Sequence, residues 1–96
     1  MIETGNNDNT PKIQELKDMV NYQNDSVVSR EIIRKNTGTV TLFAFSNGQG
    51  LSEHTAQFDA LVYIVEGEVE ISISGSTHYL NQGKFVILPA NKPHAL

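Results

Sequence analysis

The sequence contains no cysteine, and this absence excludes several kinds of chemistry. Disulfide bonds, thiolate metal sites and cysteine nucleophiles all require the thiol group. Basic residues are also few, since 7 Lys and Arg stand against 11 Asp and Glu, for a net charge of −4. Because nucleic acids bind clustered basic side chains, we expect no nucleic-acid partner.

Long apolar runs are missing as well. No stretch approaches the roughly 20 apolar residues that cross a bilayer, so we expect no membrane partner. Residues 1–10 are polar and lack the basic start and apolar core of a secretory signal, and they are predicted to form a flexible leader. The default prediction is therefore a cytoplasmic protein.

The length of the chain limits its organisation. A chain of 96 residues makes one domain, which we assign to residues 11–96, and it buries only about two-thirds of its unfolded surface. Thr10 and Pro11 are typical of a helix start, and Ile13, Leu16 and Met19 follow at helical spacing. This pattern predicts one short N-terminal helix that ends near Tyr22 and covers the sheet.

From Ser26 onward the pattern is typical of short strands separated by Gly and Asn turns. Ile71 is flanked by Glu70 and Ser72, and this period-two alternation indicates one buried and one solvated face. Tyr63 is predicted to pack in an interface. The sequence thus predicts an all-β sandwich or barrel, with a core formed by Val62, Ile64, Val69, Ile71, Ile73 and Ile87.

Two stretches share one layout, in which a glycine turn leads into an apolar strand and a histidine. The first, residues 48–67, contains Gly48, five residues, then His54, and closes on Gly67. The second, residues 83–94, contains Gly83, five residues, then Pro89, and ends on His94. These spacings resemble the two motifs of the cupin family. The resemblance implies a double-stranded β-helix, the cupin jelly roll, as the fold.

The resemblance also implies a site for ligands inside the barrel. Cupins bind iron, manganese, nickel or zinc through three histidines and one glutamate, and His54 and His94 match the first and last histidine. Ala56 and Ala60 stand where the second histidine and the glutamate belong, and alanine cannot coordinate a metal. His54 and His94 are therefore our candidate cavity residues and candidate metal ligands. No cofactor is expected, with a divalent transition metal as the alternative.

Three further residues lie within the two motifs. Asp59 should point outward, because adjacent strand residues face opposite ways, and Gln57 is a weak reserve ligand in a turn. Asn91 replaces the glycine of the second motif, and asparagine tolerates the left-handed backbone that such a turn can require.

Several functions fit this pattern. The leading hypothesis is a small cytoplasmic cupin that binds a small molecule in the barrel without a complete metal site. The alternative is a metal-dependent cupin enzyme, of dioxygenase or isomerase type, that uses His54 and His94. A metal-independent epimerase or isomerase with one histidine as general base is a third hypothesis, and a structural or interaction role is a fourth.

A homodimer is also expected. Cupins generally continue beyond the last histidine with one or two strands, whereas this sequence stops two residues after His94. Either the sequence is truncated, or a partner or the N-terminal segment supplies the missing strand. Phe43 with Phe45, or Leu42 with Tyr63, would leave a large apolar surface on a lone domain. We therefore predict two copies joined through their sheets or by strand exchange.

Overall fold

The computed structural model describes residues 10–96, so the predicted flexible leader lies outside the described residues except for Thr10. Within residues 10–96, one 3-10 turn, Leu16–Asp18, precedes the strands. Seven strands follow in chain order: β1 Val27–Lys35, β2 Gly38–Phe45, β3 Ala60–Tyr63, β4 Glu68–Ile73, β5 Ser76–Asn81, β6 Phe85–Leu88 and β7 His94–Ala95. The predicted all-β fold with one short N-terminal helix is thereby confirmed.

The strands pair antiparallel in three small sheets. β1 pairs with β2, β3 pairs with β6, and β4 lies between β5 and β7. The β4–β5 connection is a two-residue turn in which Ser74 and Gly75 both have positive φ, 50° and 84°. This backbone matches the twist of a tight hairpin, and glycine adopts it without steric cost.

The core lies between the β3–β6 pair and the β4–β5 pair. Ile71 is fully buried, and Ile64, Leu80 and Leu88 complete the buried cluster. The alternation that predicted Ile71 inside and Glu70 outside is confirmed. The partly buried side chains packed against this cluster include three predicted members, Val62, Val69 and Ile73.

The prediction for Ile87 is wrong. Ile87 pairs with Leu61 on the outer face of the β3–β6 pair, and it is 44% exposed. The inward positions of β6 belong to Val86 and Leu88, which pair with Val62 and Ala60. The run Phe85–Leu88 is apolar throughout, so its composition does not reveal which residues face inward.

The N-terminal helix is much shorter than the predicted span. Between Thr10 and Tyr22 the helical part is limited to Leu16–Asp18, Ile13 is fully exposed, and the turn buries none of its residues. The predicted helical lid on the sheet is therefore wrong. Short isolated helices are marginal in water, and this segment lacks the packing that would stabilise one. Across residues 10–96, no helix has the length and apolar character needed to span a membrane.

Candidate functional site

His54 and His94 meet although 40 residues separate them in the chain. Their backbones exchange two hydrogen bonds, each with an N···O distance of 2.9 Å. Their Nε2 atoms lie 3.1 Å apart, and the ring centroids are 4.4 Å apart in an edge-to-face arrangement. The structure thus brings the two candidate site residues into direct contact.

The position of the histidine pair depends on the hydrogen bonds that β7 makes on its two sides. On one side β7 pairs with β4, where Ile73 lies opposite His94. On the other side Leu96 exchanges two backbone hydrogen bonds with Leu51. His94 is therefore enclosed and only 4% exposed, whereas His54 lies at the edge and is exposed. One histidine is buried and the other is exposed.

The loop before β7 is fixed by residues of the first motif. The amide of Ala90 donates to Oδ1 of Asp59 at 2.8 Å, and the amide of Asn91 donates to the carbonyl of Ala56 at 2.7 Å. Asn91 has φ of 63°, which confirms the predicted left-handed turn. Sequence reasoning missed the role of Asp59 as a loop anchor. Aspartate side chains often accept a hydrogen bond from a backbone amide in loops, but the sequence does not indicate which amide donates.

The ring orientations define which nitrogens remain available. The Nδ1 atom of His54 lies 2.8 Å from the carbonyl of Ser52, and that of His94 lies 3.2 Å from the carbonyl of Lys92. A carbonyl only accepts, so each Nδ1 carries the hydrogen and each neutral ring keeps a lone pair on Nε2. Two lone pairs facing each other at 3.1 Å require a proton, a ligand donor or a cation between them. The pair is therefore a converging acceptor site.

The donor atoms at the pair match only part of the metal centre that the motifs imply. Two Nε2 atoms 3.1 Å apart can be neighbouring ligands of one ion at the usual zinc–nitrogen distance of about 2.0–2.1 Å. Catalytic sites normally need three protein ligands, and residues 10–96 contain no group of three His, Cys, Asp or Glu that could hold an ion. Gln57 is exposed, and Asp59 binds Ala90 instead. The residues present do not fit a complete metal site.

The third histidine does not join the pair. His78 lies opposite Ile71 in the β4–β5 ladder and is exposed. Among the described residues, it makes neither a hydrogen bond nor a ring contact with His54 or His94. It therefore serves as a natural control for tests of the histidine pair.

Two of the clefts that the described residues form bear on the predicted cavity. The larger one, of about 1170 Å³, lies between β2 and the β3–β4 region and is lined by Phe43, Phe45, Leu61 and Tyr63 among others. The smaller one, of about 450 Å³, lies beside Tyr79 and involves both faces of the β4–β5 ladder. Neither cleft includes His54 or His94, so the prediction that these residues line a ligand cavity stays a prediction.

Comparison with known proteins decides the family. The family model described as the cupin domain matches residues 41–96, which is more than half of the chain. The chain belongs to the cupin family. The matched stretch contains both motifs, the histidine pair and strands β3–β7 of this cupin.

Solved structures agree with this assignment. A conserved Streptococcus pyogenes protein of unknown function is 30% identical with a TM-score of 0.82, and the alignment covers 98% of this chain and 77% of that one. A cupin 2 conserved barrel domain protein from Leptotrichia buccalis is 34% identical with a TM-score of 0.80, and the alignment covers 82% of this chain and 38% of that one. A cupin superfamily protein from Desulfitobacterium hafniense is 26% identical with a TM-score of 0.82, and the alignment covers 92% of this chain and 83% of that one. No curated protein matched in the sequence comparison.

Proposed function

We propose that this cupin binds a small molecule at the histidine pair and lacks a complete metal site. The observation that supports the proposal is the convergence of the two Nε2 atoms at 3.1 Å, with both Nδ1 atoms bonded to backbone carbonyls. Rings held in this way point their free nitrogens at a common position. A few fixed polar groups next to apolar side chains are typical of small-molecule sites.

The chemistry of the pair favours an acidic ligand. A single proton between the two Nε2 atoms satisfies both lone pairs and leaves one positive charge on the pair. A small carboxylic acid can supply that proton, and the resulting carboxylate is then attracted by the positive charge that the pair has gained. His54 is exposed and gives access from solvent, while His94 is enclosed, which strengthens the charge interaction. We therefore propose small carboxylates as the ligand class.

NMR titration with matched compounds tests this proposal. Small carboxylic acids should shift the ring nitrogen signals of His54 and His94, and the amides of the same skeletons should not. His54→Ala should weaken carboxylate binding by about tenfold or more, because the variant can no longer hold a shared proton and its positive charge between two rings. The control His78→Ala should bind like the wild type. Unchanged carboxylate binding by His54→Ala would contradict the proposal. It would also be contradicted if none of the carboxylates tested shifted the ring nitrogen signals of His54 and His94.

A metal-dependent enzyme is the second candidate function. The observation that favours it is the Nε2–Nε2 distance, which suits two neighbouring ligands of one ion. Elemental analysis of protein purified without an affinity tag tests this candidate. About one transition metal ion per chain would favour the enzyme, and a trace amount would favour the metal-free site.

A cytoplasmic location is also part of the proposal. It is supported by an acidic chain that needs no oxidising compartment for disulfide formation. Fractionation of cells that express the protein at natural levels would test it.

A further inference from the structure

Asn47 is followed by a glycine, and this pair is chemically different from the other asparagines of the chain. The sequence contains nine asparagines, and only Asn47 precedes a glycine. Asparagine is a thermolabile residue, because its side-chain amide can be attacked by the backbone nitrogen of the next residue. Glycine presents the least hindered nitrogen for this attack, since it has no side chain. Asn47 is therefore the position at which such a reaction should occur first.

Asn47 and Gly48 occupy the two central positions of a tight turn. The amide of Gln49 donates to the carbonyl of Ser46 at 2.9 Å, and this bond closes the turn directly after β2. Gly48 has φ of 84°, whereas φ of Asn47 is not positive, and this combination is typical of a type II turn. Because such a turn favours glycine at its second central position, the backbone itself selects the residue that makes Asn47 reactive.

The reacting groups of this turn are unrestrained by the described part of the chain. A Cβ at Gly48 would meet no atom within 4 Å, so the space around its backbone is open. Between residues 10 and 96, the Gly48 amide donates no hydrogen bond and the Asn47 side chain makes none. Both residues are exposed to water. Rotation of the Asn47 side chain and backbone can therefore bring its Cγ atom to the Gly48 nitrogen.

The expected reaction is deamidation, and it consumes only water. The Gly48 nitrogen forms a bond to Cγ of Asn47, and the side-chain NH2 leaves as ammonia together with the amide hydrogen of Gly48. Water then opens the resulting succinimide ring at one of its two carbonyls, which gives either aspartate or isoaspartate. Both products add a negative charge, and isoaspartate also adds a carbon atom to the main chain. Alkaline pH accelerates ring closure, because the nitrogen attacks after it has lost its proton.

The place of the turn in the fold gives the product a structural consequence. Just after the turn, Gly50 lies in close contact with the backbone of Leu96, and Leu51 exchanges two backbone hydrogen bonds with Leu96. These bonds hold the end of β7, which contains His94. An additional main-chain carbon lengthens the turn, so Gly50 and Leu51 must shift relative to Leu96. The isoaspartate product should therefore loosen the chain end next to His94.

We propose that Asn47 is a site of spontaneous deamidation and that its isoaspartate product weakens the pairing of Leu51 with Leu96. Asn47 lines the large cleft together with Glu66 and Glu68, so both products place a further negative charge at that cleft. The modification acts on the backbone beside the histidine pair, and it does not depend on a ligand bound there.

Peptide mapping of folded protein incubated at alkaline pH tests the reaction. Chymotrypsin cleaves after Phe45, and mass spectrometry with chromatography then separates the asparagine, aspartate and isoaspartate forms of each peptide. Asn47 should be converted, with isoaspartate among the products, while Asn36 remains asparagine. Asn36 is the matched internal control, because it lies in the exposed turn between β1 and β2 and precedes the β-branched Thr37. No conversion of Asn47, or equal conversion at both positions, would overturn the proposal.

Amide hydrogen exchange tests the structural consequence. In protein purified with isoaspartate at position 47, the amides of Leu51 and Leu96 should exchange faster than in fresh protein, because each depends on the hydrogen bonds between them. The Ile71 amide in the β4–β5 ladder should exchange as before, which shows that the fold is intact. Asn47→Ser is the matched control, since serine cannot form the ring, and its incubation should leave all three amides unchanged. Unchanged exchange of Leu51 and Leu96 in the isoaspartate form would overturn the proposed effect.

Discussion

The Nε2 atoms of His54 and His94 face each other at 3.1 Å, and neither ring is free to turn away. Each Nδ1 is bonded to the carbonyl of the residue two positions earlier, Ser52 and Lys92. The same local bond therefore orients both rings, and the backbone bridge between the two histidines sets their separation. The paired strands and the two carbonyl contacts together set the geometry of the pair.

Gly50 lies so close to Leu96 that even a methyl side chain at position 50 should lower the stability of the fold. A Cβ at Gly50 would overlap the backbone oxygen of Leu96, which accepts a hydrogen bond from the Leu51 amide at 3.2 Å. Gly50→Ala should therefore lower the free energy of unfolding by about 1–3 kcal/mol, the usual range for overpacking. Urea denaturation measures the change.

Gly38→Ala is the matched control for that substitution. A Cβ at Gly38 meets no atom within 4 Å, and its backbone φ lies outside the left-handed region. Its effect should stay within about 0.5 kcal/mol. Similar losses for the two variants would show that the contact between Gly50 and Leu96 is wrong.

The strand register of β4 makes a second prediction. Ile71 is fully buried and Glu70 is exposed, so Ile71→Ala should cost about 2–5 kcal/mol in the free energy of unfolding. Glu70→Ala should cost roughly 0.5 kcal/mol or less. Thermal and urea unfolding of both variants measure the difference. Equal losses at the two positions would mean that the register of this strand is not as described.

A titration provides a third prediction, at the contact between the N-terminal segment and the barrel. The Tyr22 hydroxyl donates to the Glu66 carboxylate at 2.9 Å, and this hydrogen bond, with smaller contributions from burial and from the negative charge, raises the pKa of Tyr22. Because the raised pKa belongs to the folded state, the contact stabilises while the phenol is protonated and is lost as pH rises through that pKa.

Removing the acceptor should reverse this shift. Glu66→Gln should lower the pKa of Tyr22 toward its ordinary value of 10.0, as followed by the NMR signal of its Cζ atom. Glu68→Gln is the control and should leave the pKa of Tyr22 where it is. A Tyr22 titration that is identical in the wild type and Glu66→Gln would show that the segment does not contact the barrel in solution.

The sequence predicted the elements with strong local signals. Turn residues such as Gly75, and the alternation around Ile71, indicated the strands and their faces. The motif spacing indicated that His54 and His94 belong to one site. These features follow from short-range chemistry, in which a turn needs a residue that tolerates its backbone and a two-faced strand needs alternating polarity.

Other features depend on contacts that no local pattern records. Ile87 lies in an apolar run without alternation, so its outward position follows only from pairing with Leu61. The apolar spacing around Ile13 suggested a helix, but no packed face stabilises one there. The orientation of both histidine rings depends on backbone carbonyls, which have no sequence signature.

Calorimetric titration of zinc or nickel into the wild type, the double variant and the two single variants tests the central claim most directly. The claim is that Ala56 and Ala60 leave the histidine pair without a complete metal site. The wild type should bind either ion weakly, because two neutral imidazoles supply too few ligands and no negative charge. Ala56→His combined with Ala60→Glu should raise the affinity by orders of magnitude, and either change alone should do less. Tight stoichiometric binding by the wild type, or no gain in a folded double variant, would contradict the account.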